Sequence, residues 1–210
     1  MIYALLFLAS YLVGHINPAI LVSRWRRGID IREINSKNAG TSNVTMTIGY
    51  RWGIFVLLMD ILKGLVPALI VRLVYPENDI LWFVSGLGAI LGHIYPVLYQ
   101  FKGGKGTATF GGVLFATVPL YAVGLLLLFA LVLYLTDYIA LSTLVAIVLT
   151  PIVLYLMGFH WISVLLMLVF SFISFSKHFE NYRRIWNKEE VGLRKFHRNK
   201  DQIRVEKNTQ

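Results

Sequence analysis

The sequence contains no cysteine. That excludes a disulfide framework, a thiolate nucleophile and a thiolate metal site. Charge is also scarce. Charged residues make up 15% of the 210 positions, and the 11 Asp and Glu are outnumbered by 20 Lys and Arg. A soluble domain of ordinary composition carries more charge than this. Neither an HExxH helix nor an HxxxxD acyltransferase box is present, and no paired carboxylates stand at metal-ligand spacing. No Ser-His-Asp order stands out, and no internal repeat or low-complexity segment is apparent. Chemistry on this chain should therefore lean on anion binding and positioning, not on a covalent nucleophile.

What the sequence does have is apolar length. Hydrophobic residues reach 57% and mean hydropathy is +0.65. The net charge of +9 is not spread as a nucleic-acid surface would be: ten of the twenty basic residues lie in 177–210 and six in 24–51. Basic segments flanking apolar runs are the pattern of cytoplasmic loops. The expected partner is therefore membrane lipid, not nucleic acid. The first run, Ile2–Val22, has no basic leader and no small-x-small cleavage site, so it reads as a retained helix.

A membrane span needs roughly 20 apolar residues at about 1.5 Å each. Ile2–Val22, Trp52–Val74 and Leu81–Tyr99 qualify. The stretch 107–176 holds one formal charge, Asp137, and three spans fit its length. Loops on both sides of it are basic, so an even number of crossings is required. Two would be too long for a bilayer. Four are predicted: a short one at Ala108–Val118, ended near Pro119, then Leu120–Leu135, Tyr138–Tyr155 and Trp161–Phe175. The expected fold is an all-α integral membrane protein, a compact seven-helix bundle with a short fourth helix. Its N-terminus is expected outside and its C-terminus inside. Residues 1–186 form the membrane domain and 187–210 a basic cytoplasmic tail.

Three polar stretches emerge on one face of such a bundle. In Ile34–Asn43, Ser, Asn, Gly and Thr make tight turns, and Ser42 or Asn43 is placed to cap a helix near Val44. In Lys102–Thr107, glycines 103, 104 and 106 allow close backbone approach to an anion that Lys102 and Lys105 neutralise. Thr107 is placed to open a helix aimed at the ligand. This is not a P-loop, because Gly106 stands where Ser or Thr must follow the lysine. In the third stretch, His178 and Asn181 share a helix face, followed by Arg183 and Arg184. Within the spans, Asp60 and Lys63 lie three apart and His93 stands alone. The acid–lysine pair reads equally as an ion pair holding helices together and as a pocket floor. His93 reads as an interhelical hydrogen-bonder.

These stretches carry a family resemblance. Asn35–Asn43, Asp60–Gly64, Gly92–Pro96, Phe101–Thr109 and His178–Arg184 resemble, in order, the bacterial membrane glycerol-3-phosphate acyltransferases that use acyl phosphate. The resemblance covers residues 5–186. It implies an inner-membrane enzyme that moves a fatty acyl group from acyl phosphate to the C1 hydroxyl of glycerol 3-phosphate, giving lysophosphatidic acid and phosphate. It implies no cofactor and no metal. The positions matching family binding sites are Ser36, Asn38, Gly40 and Asn43; Gly103, Gly104, Lys105 and Gly106; and His178 and Asn181. His178 is the catalytic candidate, and Lys37, Asp60, Lys63 and His93 are supporting residues.

The sequence departs from the family pattern in four places. The first loop reads Asn35-Ser36-Lys37-Asn38 where the family carries Gly-Ser-Gly-Asn, Ser42 stands for Thr, Met46 stands where the family carries a basic residue, and the first-helix Gly-Ser-Ile-Pro motif reads Gly14-His15-Ile16-Asn17 with Pro18 displaced by one. Lys37 supplies charge near Met46 but lacks a bidentate fork. These departures leave open an acyltransferase for another polar phosphate acceptor. A small-anion transporter or channel is the rival class.

Overall fold

A computed structural model describes residues 1–192 and 194. Among the described residues nine α-helices follow one another: α1 (Ile2–His15), α2 (Pro18–Arg27), α3 (Thr41–Thr47), α4 (Tyr50–Val74), α5 (Asp79–Ile94), α6 (Thr107–Thr117), α7 (Pro119–Thr136), α8 (Ile139–Leu156) and α9 (Trp161–Trp186). The fold is all-α among the described residues, but it is not a seven-helix bundle. With α1–α2 taken as one broken rod and α5 with its following 3-10 turn as another, eight joined helices remain, six of them long and apolar enough to cross a membrane. The segment read from sequence as a short fourth span is α6, whose 11 residues reach roughly 17 Å, well short of a hydrocarbon core about 30 Å thick.

Other boundaries moved for local reasons. The first run does not continue unbroken to Val22. His15 ends α1 and Asn17 caps α2, its Oδ1 accepting from the Ile20 N–H at 3.1 Å. Pro18 occupies the first turn of α2, where its missing N–H costs nothing. The last helix does not stop at Phe175 but runs to Trp186, so His178, Asn181 and Arg184 all ride on regular helix. In the first polar loop, Gly40 is the N-cap of α3 and no side chain caps it. Neither Ser42 nor Asn43 does so.

α1 and α5 run parallel and very close. A Cβ on Gly88 would strike the Phe7 carbonyl, and one on Gly92 the Tyr11 carbonyl. Small residues four apart let two backbones touch where no hydrophobic effect drives association. Ser10 and Ser85 share a hydrogen bond of 2.8 Å across the same seam. α6 lies inside the bundle, with Phe110, Val113, Leu114 and Ala116 all buried. Phe110 stacks on Phe170 of α9 at 4.6 Å. α7 is the opposite case, with Leu120, Leu127, Tyr134 and Leu135 turned outward. Apolar side chains turned outward suit a lipid environment.

At one end of the bundle the His160 N–H donates to Asp79 at 2.9 Å, tying the α4–α5 turn to the α8–α9 turn. The three polar stretches and the α7–α8 turn collect at the other end. Of the expected tail, residues 187–192 and 194 lie against that end, and the remainder falls outside the described residues.

Candidate active site

The first polar loop is built around one side chain. Asn43 is fully buried, and its Nδ2 donates to the carbonyls of Ile31, Ile34 and Asn38 at 2.9–3.0 Å. Its role is to tie the loop together from inside. Asn38 is partly buried, Gly40 is buried, and Ser36 and Lys37 are exposed. Lys37 and Asn35 both hold left-handed backbone, φ 54° and 49°. The loop is anchored to the second stretch by Arg32, which donates to the Tyr99 carbonyl at 2.8 Å and to Asp30 at 2.6 Å. The paired guanidinium holds the Asp30 carboxyl well below the usual carboxylate range.

The glycine loop folds over His93. A Cβ on Gly103 would collide with the His93 carbonyl oxygen, and one on Gly104 with its imidazole. The N–H groups of Gly103 and Gly104 donate to the carbonyls of Ile94 and His93 at 3.1 and 3.2 Å. Those two amides are therefore spent inside the protein, and both glycines are packed tightly. The amides left to face an anion belong to the start of α6. Gly106, with φ +86°, turns the chain into that helix, whose first N–H groups lack intrahelical acceptors.

Beneath the glycine loop lies a buried ion network. Asp60 Oδ1 is 2.8 Å from Lys63 Nζ and 3.3 Å from His93 Nδ1, all three side chains being buried. Lys63 also donates at 2.9 Å to the carbonyl of Ile16, in the break between α1 and α2. The network thus joins three helices and carries the residue on which Gly104 rests.

Lys105 and α9 complete the site. Lys105 Nζ donates to Asn181 Oδ1, and Lys177 lies over the Tyr95 ring at 4.3 Å. Burial pushes the Lys105 ammonium down to about 8, with Glu190 opposing the shift and Arg184 and Lys177 adding to it. His178 is buried and its Nδ1 lies 2.9 Å from the Ser174 carbonyl. A carbonyl can only accept, so Nδ1 carries the proton, and in the neutral imidazole Nε2 keeps a lone pair.

Sequence reasoning missed Glu190 here and gave Arg184 no role beyond following the His–Asn pair. Arg184 donates to Glu190 at 2.6 Å, and Asn181 Nδ2 donates to the same carboxylate at 2.6 Å. The spacing 178, 181, 184 could have found the arginine. No periodicity reports Glu190, which returns to the site after the helix has ended.

The profile of the Glycerol-3-phosphate acyltransferase family matches residues 4–188. The chain belongs to this family. The glycerol-3-phosphate acyltransferase of Bacillus velezensis is 36% identical over 197 residues, 93% of this chain and all of that one. The crystal structure of PlsY (YgiH), an integral membrane glycerol 3-phosphate acyltransferase, in its glycerol 3-phosphate form, superposes with a TM-score of 0.86. The pair are 31% identical, covering 91% of this chain and 95% of that one. The lysophosphatidic acid form of the same protein gives 0.81 at 30% identity, covering 90% and 94%. The chain is an acyltransferase and a multi-pass protein of the bacterial inner membrane. Glu190 lies two positions beyond the family match, whereas Lys105, His178 and Asn181 lie within it.

Proposed function

We propose that the end of the bundle formed by Lys105, Asn181, His178, Arg184 and the start of α6 is where this acyltransferase binds phosphate groups. The chain transfers a fatty acyl group from acyl phosphate to the C1 hydroxyl of glycerol 3-phosphate, forming lysophosphatidic acid and phosphate. The observation that carries the site reading is the Lys105–Asn181 pair, set beside His178 and the head of α6.

An apolar groove of about 460 Å³ adjoins it, lined by Leu141, Leu144, Phe175, Phe179, Tyr182 and Trp186. The acyl chain lies there, where each buried CH₂ contributes roughly 0.8 kcal/mol. The acceptor hydroxyl donates a hydrogen bond to His178 Nε2 and attacks the carbonyl carbon. The carbon–oxygen bond to phosphate breaks, and the departing phosphate takes the hydroxyl proton. Lys105 and the α6 amides stabilise the charge that develops on the phosphate. The donor is already activated, so positioning supplies much of the rate.

Asn38, Gly40, Ser36 and Lys37 are assigned to the acceptor side of the site, and the Asp60–Lys63–His93 network lies beneath the glycine loop. The site end faces the cytoplasm, in keeping with its basic residues, and Met1 lies outside.

Purified protein given palmitoyl phosphate and glycerol 3-phosphate is expected to release lysophosphatidic acid and phosphate, and Lys105→Ala to do so roughly 10²–10³-fold more slowly in kcat/KM. Product only with another phosphorylated polyol would reassign the acceptor. Anion flux without product would instead support a transporter. For orientation, cysteines introduced at Ser36 and Asn78 of the otherwise cysteine-free chain should label from opposite sides with an impermeant thiol reagent.

A further inference from the structure

Helix α9 ends in a full Schellman turn. The Lys188 N–H donates to Ile185 O at 3.0 Å and the Glu189 N–H to Arg184 O at 2.8 Å. The left-handed position, φ 60°, is held by Lys188, not by glycine. Left-handed backbone is unfavourable for a residue with a Cβ, so contacts further along must hold the reversal. Two are present. The Glu190 carboxylate is 16% exposed and accepts from both Asn181 and Arg184. Gly192 then packs so tightly on Asp137 that a Cβ would strike its carboxylate, and the Arg194 N–H donates to Asp137 at 3.0 Å. The segment is a strap running from the active site to the α7–α8 turn.

Resting on the phosphate-site reading above, we propose that Glu190 is a resident anion of that site, a carboxylate that substrate phosphate must displace and that sets phosphate affinity. Its two oxygens accept from the Asn181 amide and the Arg184 guanidinium, the latter a group suited to carboxylate and phosphate alike. Asn181 in turn is held by Lys105. Until phosphate arrives, Glu190 keeps Asn181 and Arg184 aligned. Once phosphate is there, an unmoved Glu190 would set like charges against each other.

The test is calorimetric titration of inorganic phosphate into the full-length protein in detergent. It compares wild type, Glu190→Gln, Gly192→Val and Lys105→Ala, with KM for glycerol 3-phosphate measured on the first three. Glu190→Gln is expected to bind phosphate roughly tenfold tighter, as removal of a like charge at contact range implies. KM should fall by a similar factor. Gly192→Val, which detaches the strap without touching its charge, should shift both in the same direction. A purely structural clasp would do the reverse, raising Kd and KM as Asn181 and Arg184 lose alignment. That result, or an unchanged Kd in both strap variants, overturns the proposal. Phosphate binding that survives Lys105→Ala would instead refute the site assignment on which it rests.

Discussion

Lys105 gives the sharpest test of the site. Its ammonium sits between Asn181 and the start of α6, and burial holds it at about 8. The group is a cation below that pH and a neutral amine above it. Phosphate capture should therefore be complete at pH 7 and fail as pH rises. kcat/KM for glycerol 3-phosphate reports the free enzyme, so it should be flat to about pH 7.5 and then fall toward a tenfold loss per pH unit beyond 8. Lys105→Ala removes a charge-assisted contact and a stabiliser of the leaving phosphate, together worth about 3–4 kcal/mol, or roughly 10²–10³ in kcat/KM. Lys105→Arg keeps the charge at all accessible pH. It should lose less activity at pH 7 and lose the alkaline limb. The assay is release of lysophosphatidic acid across pH 6.5–9.5 at fixed ionic strength. An alanine variant within threefold of wild type, or an arginine variant with the same alkaline fall, would refute the reasoning.

His178→Ala should lower kcat about 10–100-fold with KM little changed, since the imidazole orients a hydroxyl and is not the final proton acceptor; a larger change in KM than in kcat would contradict this. Asp60→Ala leaves Lys63 buried and uncompensated and should cost about 3–5 kcal/mol, whereas Asp60→Leu with Lys63→Met should recover much of that; denaturation in detergent measures both. Asn43→Ala strips a donor from three loop carbonyls and should destabilise by about 1–3 kcal/mol, read in the same assay. Gly104→Ala should impair folding or activity through its clash with His93, and His93→Ala should relieve part of the loss. Additive effects in that pair would argue against the contact.

Much of the site was legible because its chemistry is local. Glycines, lysines and a helical His–Asn pair between apolar runs announce themselves by type and spacing, and their convergence followed from charge sidedness. The use made of each residue was less visible. Asn43 looked like a helix cap and proved to be an internal tie, because three carbonyls from 31, 34 and 38 converge on it only after the loop closes. Gly103 and Gly104 looked like anion-binding amides, but their N–H groups go to carbonyls at the end of α5. The Asp60–Lys63 pair was visible at i, i+3, whereas His93 and the Ile16 carbonyl joined it through tertiary contact alone. The helix count grew from seven to eight at α3, seven residues inside a polar loop where no apolar run marks a helix, and α6, expected to be short, is the 11-residue helix that falls outside the six long apolar spans.

The reversal after α9 bears on how this protein is handled at the bench. The family profile stops at residue 188, which invites trimming everything beyond as dispensable. A chain cut there would lose the Glu190 carboxylate, so its kinetics would describe an altered enzyme. Met1 sits at the far end of the bundle, which makes the front of the chain the safer place for an affinity handle.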